Sequence, residues 1–103
     1  MIKVSVMYPY SEGKGFDMEY YCEEHVPMVR QKLGSAYKGY AVEQGIAGGT
    51  PGAPPTYVAM GHIYFESIEA FQTAFWPHVP AFQADTPNYT TIEPIIQISE
   101  VKI

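Results

Sequence analysis

The spacing of apolar residues switches along this 103-residue chain, from two to about 3.6 and back, twice over, which leaves few folds open. Residues 2–9 alternate, with Ile2, Val4, Val6 and Tyr8 on one side and Lys3, Ser5 and Met7 on the other, so they read as a strand. SEGKG at 11–15 is a turn. Asp17 stands where a helix N-cap belongs, and Met18, Tyr21, Cys22, His25, Val29 and Leu33 form a stripe at helical spacing. The spacing predicts an amphipathic helix over 18–33, closed by Gly34. Pro27 removes an amide and clashes with the carbonyl of Glu23, so a kink or break is expected near His25.

A second strand is expected over 37–47, weakened by Gly39 and Gly45. GGTPGAPP at 48–55 is a loop. The best strand is 57–66, apolar on both faces, with His62 and Ile63 on opposite sides. Ser67 caps a second helix whose stripe is Ile68, Phe71, Phe75, Val79 and Phe82. Pro77 and Pro80 interrupt that stripe, so its later half should be a separate short helical turn. A loop at 85–90 leads to a last strand over 94–103, with Ile96 and Ile98 on one face.

The order β-α-β-β-α-β, undivided by any linker, makes residues 1–103 a single α+β domain with a ferredoxin-like antiparallel sheet. Two helices on one face leave the other face bare, on either side of the first strand. A bare face with this apolar content favours two-fold pairing, which closes a barrel in a homodimer.

The formal charge is −5 and the six Lys and Arg are scattered, which excludes a nucleic-acid or anionic-membrane surface. Cys22 is the lone cysteine, so no internal disulfide forms, and a small core position is expected for it. No apolar run reaches the length of a membrane span, and the first ten residues do not resemble a signal peptide, so a cytoplasmic location is the default. The three histidines lack metal-ligand spacing, and neither a metal nor a cofactor is expected. Aromatics reach 15%, with nine Tyr, which suits half-buried pocket walls and interfaces.

Four segments resemble one family. FDMEYYCEEHVPMV at 16–29 is similar to the FD-x-x-YY-x-x-x-H-x-P run of EthD-like proteins, and FESIEAFQTAF at 65–75 to their second-helix entry. DTPNYT at 85–90 is similar to their D-x-P-N-F-T loop, with Tyr89 in place of Phe, and IQISEVKI at 96–103 to their last strand. The resemblance implies a dimeric α+β barrel with a small-molecule pocket between sheet and helices. The family is named for a protein needed in bacterial degradation of ethyl tert-butyl ether beside a cytochrome P450 system, and related fungal proteins act in polyketide pathways as dehydratases.

His25 is the leading chemical candidate, because an imidazole facing an apolar pocket can move a proton near neutral pH. A buried His bonded to backbone is the plainer alternative. Asp85 could orient His25 as its acid partner, and Asn88 could donate to a ligand oxygen; turn-fixing bonds to backbone would explain both equally. Tyr8, Tyr21 and Tyr64 are candidates to bind a ligand oxygen, against roles in core or interface. Trp76, with Pro77 and His78, could meet a planar ligand such as haem, against a plain surface turn. Three functions fit: a cofactor-free acid–base enzyme of dehydratase, isomerase or cyclase type acting on a small hydrophobic or aromatic compound; a cofactor-independent or haem-type monooxygenase; and a non-catalytic protein that binds or shields an intermediate. An imidazole on an apolar helix face exceeds what a passive pocket needs, which favours the first.

Overall fold

The computed structural model describes residues 1–103. Strands β1 (Ile2–Pro9), β2 (Tyr37–Gln44), β3 (Tyr57–Phe65) and β4 (Ile95–Glu100) form one antiparallel sheet in the order β2-β3-β1-β4. Helix α1 covers residues 18–33, and α2 (Ile68–Phe75) and α3 (Val79–Asp85) follow β3. This is the ferredoxin-like α+β arrangement.

Register decides which face the helices cover. Tyr40, Ile63, Val4 and Ile98 lie in one row across the sheet, and Ala41, His62, Ser5 and Gln97 lie in the next. Successive residues of a strand point to opposite faces, so these rows belong to opposite sides. Val4, Ile63 and Phe65 are buried with Val29 and Leu33 of α1, Phe71 and Phe75 of α2 and Phe82 of α3. The Ile2/Val4/Val6/Tyr8 side therefore faces the helices, and the bare face carries Lys3, Ser5 and Met7. Burying Phe71 completely contributes about 1.5–3 kcal/mol.

Pro27 disturbs α1 in a particular way. The helix begins α-helical at Met18–Tyr20, widens into a π turn over Tyr21–His25, and resumes as an α-helix over Val26–Leu33. In the π turn the Val26 amide donates to the Tyr21 carbonyl, five residues back. Pro27 then lies in the first turn of the resumed segment, where its missing amide costs little. The wide turn buries both Tyr21 and His25. It also corrects the expectation for Cys22, which is exposed, its Sγ 3.7 Å from Met18 Sδ. With the buried stripe running through Tyr21 and His25, the next residue after Tyr21 turns outward. Gly34 ends the helix at φ +60°, a conformation that favours glycine.

Pro77 and Pro80 divide the second stripe as expected. A 3₁₀ turn, Trp76–His78, separates α2 from α3, and each proline sits in the first turn of its own segment. The loop at 85–90 is largely another 3₁₀ turn, Thr86–Asn88. Its exit is tied to the start of α1. The Asp17 amide donates to the Tyr89 carbonyl at 2.8 Å, and Thr90 Oγ1 donates to the Gly15 carbonyl at 2.8 Å. No helix is long and apolar enough to cross a membrane.

Candidate functional site

Between the helix-covered face of the sheet and the helices lies a cavity of about 490 Å³. Its floor comes from β1, β2 and β3, its walls from α1, α3 and the segment 86–94, and Ile96 of β4 lines one side. Twelve of its twenty lining residues are hydrophobic, and none is Lys or Arg. A carboxylate or phosphate would find no counter-ion there, and Glu93 is the one carboxylate in the lining, so the cavity disfavours an anion.

His25 lines this cavity, and its Nδ1 lies 2.8 Å from Asp85 Oδ2. Asp85 sits behind the imidazole, outside the cavity lining. Its Oδ1 accepts the Tyr20 hydroxyl at 2.8 Å and the Asn88 amide at 2.9 Å. Desolvation pushes the Asp85 carboxyl up, but donation from Asn88, His25 and Tyr20 outweighs it and holds the group below the usual carboxylate range. Asp85 is thus an anion, and His25 must donate to it from Nδ1–H. Burial lowers the His25 pKa below 6.5 despite the neighbouring carboxylate. At neutral pH the imidazole is uncharged, with a free electron pair on Nε2.

Nε2 meets the Tyr89 hydroxyl at 3.4 Å, and that hydroxyl lies 2.7 Å from the Tyr8 hydroxyl. The imidazole stacks on Tyr21 at 5.4 Å and lies 4.7 Å from the Tyr89 ring. Tyr21 reaches down to the sheet, where a methyl group on Gly61 would stand 2.5 Å from its hydroxyl oxygen. Tyr40 from β2 completes a group of four phenols in the cavity wall. Desolvation raises the pKa of all four, so each stays a neutral hydroxyl.

The structure thus brings together His25, Asp85, Tyr8 and Tyr21. Asn88 departs from its expected role: its side chain is exposed, outside the cavity, and its amide is engaged by Asp85, so it holds the acid rather than facing a ligand. Tyr64 does not line the cavity, because strand alternation puts it with His62 on the bare face. Trp76 is also outside, half exposed on its 3₁₀ turn with its ring against Phe71 and Phe75. His78 shares that turn and does not reach the cavity, while both nitrogens of His25 already have protein partners. No imidazole in the cavity is therefore available to bind a haem iron, and the residues do not fit that group.

Sequence reasoning missed Tyr20, Tyr40 and Tyr89. Tyr89 carried a signal, being the one departure within an otherwise matching loop. Tyr20 stood beside Tyr21 in the quoted FD-x-x-YY run and was passed over, while Tyr40 carried no signal, since its role depends on which strand face it occupies.

A second chain of polar side chains crosses the bare face. Ser5 Oγ lies 2.9 Å from His62 Nδ1, and His62 Nε2 lies 3.2 Å from Glu43 Oε1. No cavity adjoins it, and the β1 and β3 backbones around it are committed to ladder bonds.

The EthD domain model matches residues 14–93, most of the chain. The chain belongs to the EthD family. An EthD-like protein of Ralstonia eutropha JMP134 is 51% identical and superposes with a TM-score of 0.94, over 99% of this chain and 92% of that one. An ethyl tert-butyl ether degradation (EthD) family protein of Bacillus halodurans C-125 shares the fold at 21% identity, with a TM-score of 0.74 over 99% of each chain. A Bordetella bronchiseptica protein named for antibiotic biosynthesis monooxygenases shares it at 13% identity and a TM-score of 0.60, over 99% of this chain and 97% of that one. No curated protein matches. In this EthD domain the two motifs at 16–29 and 85–90 meet in space. The first supplies Tyr20, Tyr21 and His25, the second Asp85, Asn88 and Tyr89, and the bonds between the two sets build the site.

Proposed function

We propose that this EthD protein is a cofactor-free acid–base enzyme acting on a small, neutral, oxygenated or aromatic compound in its cavity. Dehydration, isomerisation and cyclisation are the reaction types that one base of this kind serves. The carrying observation is the 2.8 Å pairing of Asp85 with His25, a cavity-lining residue whose other nitrogen meets the Tyr89 hydroxyl. An oriented, neutral imidazole at an apolar wall is the arrangement of a general base. The family's link to ether degradation supports a role in breaking down small organic compounds.

The test is hydrogen exchange at carbon. An aromatic ketone such as 2-tetralone is incubated in D₂O and loss of its α-proton signal is followed by NMR. Wild-type protein should accelerate exchange, and folded His25→Ala should not. Binding of the ketone with no exchange would assign the protein a shielding role instead.

The working unit in this proposal is a homodimer. The bare face presents Val58, Met60 and Tyr64 beside Met7 and Ala41, and a second copy is the partner of matching chemistry. Sedimentation equilibrium should give twice the monomer mass, and a stable monomer at low micromolar concentration would remove the barrel.

A further inference from the structure

We infer that Tyr89 and Tyr8 carry the proton between the bound molecule and His25, so that the acidic hydrogen of the substrate lies at the Tyr8 oxygen and not at the imidazole. This rests on the acid–base reading above and adds a route to it.

Geometry keeps the imidazole from direct contact. One ring face is stacked on Tyr21 at 5.4 Å with the planes 15° apart, the Tyr89 ring lies 4.7 Å away, Nδ1 is taken by Asp85, and Nε2 meets the Tyr89 hydroxyl. A ligand at Nε2 would have to compete with the Tyr89 hydroxyl for it.

The polarity of the chain follows from its far end. Asp85, an anion held by three donors, can only accept, so His25 carries its proton on Nδ1 and accepts at Nε2. Tyr89 must then donate to Nε2, which leaves its oxygen to accept from Tyr8 across 2.7 Å. Tyr8 then gives its proton inward, and Tyr8 is the member of the relay that lines the cavity beyond Tyr89. The end of the relay that meets the ligand is therefore an acceptor.

The step balances without a co-reactant. A C–H bond beside a carbonyl breaks and its proton goes to Tyr8 Oη. The Tyr8 proton passes to Tyr89 Oη, and the Tyr89 proton passes to His25 Nε2. The products are an enolate, two neutral phenols and an imidazolium paired with the Asp85 carboxylate. Reversal returns the proton, and return at a different carbon is an isomerisation. Tyr21 and Tyr40 are the remaining hydroxyls on the same wall and can donate to the enolate oxygen. The substrate class is thus a neutral carbonyl compound with an acidic α-hydrogen and an otherwise apolar or aromatic body.

The 2-tetralone exchange assay tests the relay with the wild-type protein and three variants. Tyr89→Phe installs the residue of the pattern that this loop otherwise resembles and removes only a hydroxyl; Tyr8→Phe does the same one step outward. Each should slow exchange at least tenfold, with 2-tetralone affinity within twofold of wild type. Full exchange in both Phe variants, with His25→Ala inactive, would overturn the relay and leave the base in place. No exchange by wild type, or undiminished exchange in His25→Ala, would remove the base and the relay together. A second measurement needs no folded variant. In ¹⁵N-histidine-labelled wild type near pH 7.5, His25 Nδ1 should carry the proton and Nε2 should be pyridine-like. The reverse tautomer would invert the chain and overturn the proposal.

Discussion

Two histidines in this protein sit in the same kind of sequence of groups. His25 lies between the Tyr89 hydroxyl and the Asp85 carboxylate, and His62 between the Ser5 hydroxyl and the Glu43 carboxylate. Both are buried. What separates them is surroundings. Asp85 is held by two further donors, Tyr20 and Asn88, and the imidazole it orients borders a cavity. Glu43 is largely exposed and rests on a flat sheet face where no small molecule can be enclosed. A hydroxyl, an imidazole and a carboxylate in line do not make a site; a rigid acid and an adjoining cavity do.

The sharpest way to break this contrast is to remove each ring. His25→Ala should slow 2-tetralone exchange by about 100-fold or more, while His62→Ala should stay within twofold; equal losses would erase the distinction. The acids come next. Asp85→Asn should cost about 10- to 100-fold through loss of the held tautomer, and Glu43→Gln should change the rate less than twofold. Glycines on the two faces give a smaller effect. Gly61→Ala presses on the Tyr21 hydroxyl from 2.5 Å and should weaken 2-tetralone binding about tenfold, near 1.4 kcal/mol. Gly39→Ala, whose new methyl meets only the Tyr64 ring at 3.3 Å on the bare face, should leave binding unchanged.

The gentlest probe is pH. The His25 pKa is lowered on folding, so the unfolded chain takes up that proton first as pH falls. Its contribution to stability is fully present above about 6.5 and is lost as pH drops through the lower folded value. The exchange rate should stay level through pH 6.5 and fall only below it, and chemical denaturation between pH 7 and 5 should show a matching loss in wild type that His25→Ala lacks. An exchange rate already falling above pH 6.5 would place the base elsewhere.

Much of the fold was legible because period, caps and prolines are local. Asp17 and Ser67 do cap their helices, accepting from the Tyr20 and Ala70 amides, and Pro77 and Pro80 divide the second stripe where they stand. The family resemblance pointed to His25 and Asp85, sixty residues apart, and the fold joins them. The rest depended on facts that no window contains. Which side of β1 the helices cover is set by the packing of three helices at once, and that choice sends Tyr64 outward and brings Tyr40 inward. Asn88 could be read as a ligand donor until its amide was seen to be engaged by Asp85. Pro27 announced a disturbance of α1, but not that the disturbance would widen a turn and turn Cys22 to solvent.

That widened turn has a cost for anyone who would alter the helix. The stretch Tyr21–His25 holds one residue more than an α-helical turn needs. Shortening it by a single residue would regularise the hydrogen bonds and leave Val26, Val29 and Leu33 in phase with the sheet, because the wide turn already absorbs the extra residue. Such a deletion would fall on the turn itself, where Tyr21 and His25 are buried together. Point substitutions at the exposed Glu23 or Glu24 should be harmless, whereas a one-residue deletion at the same place should unseat the base and spare the core beyond it.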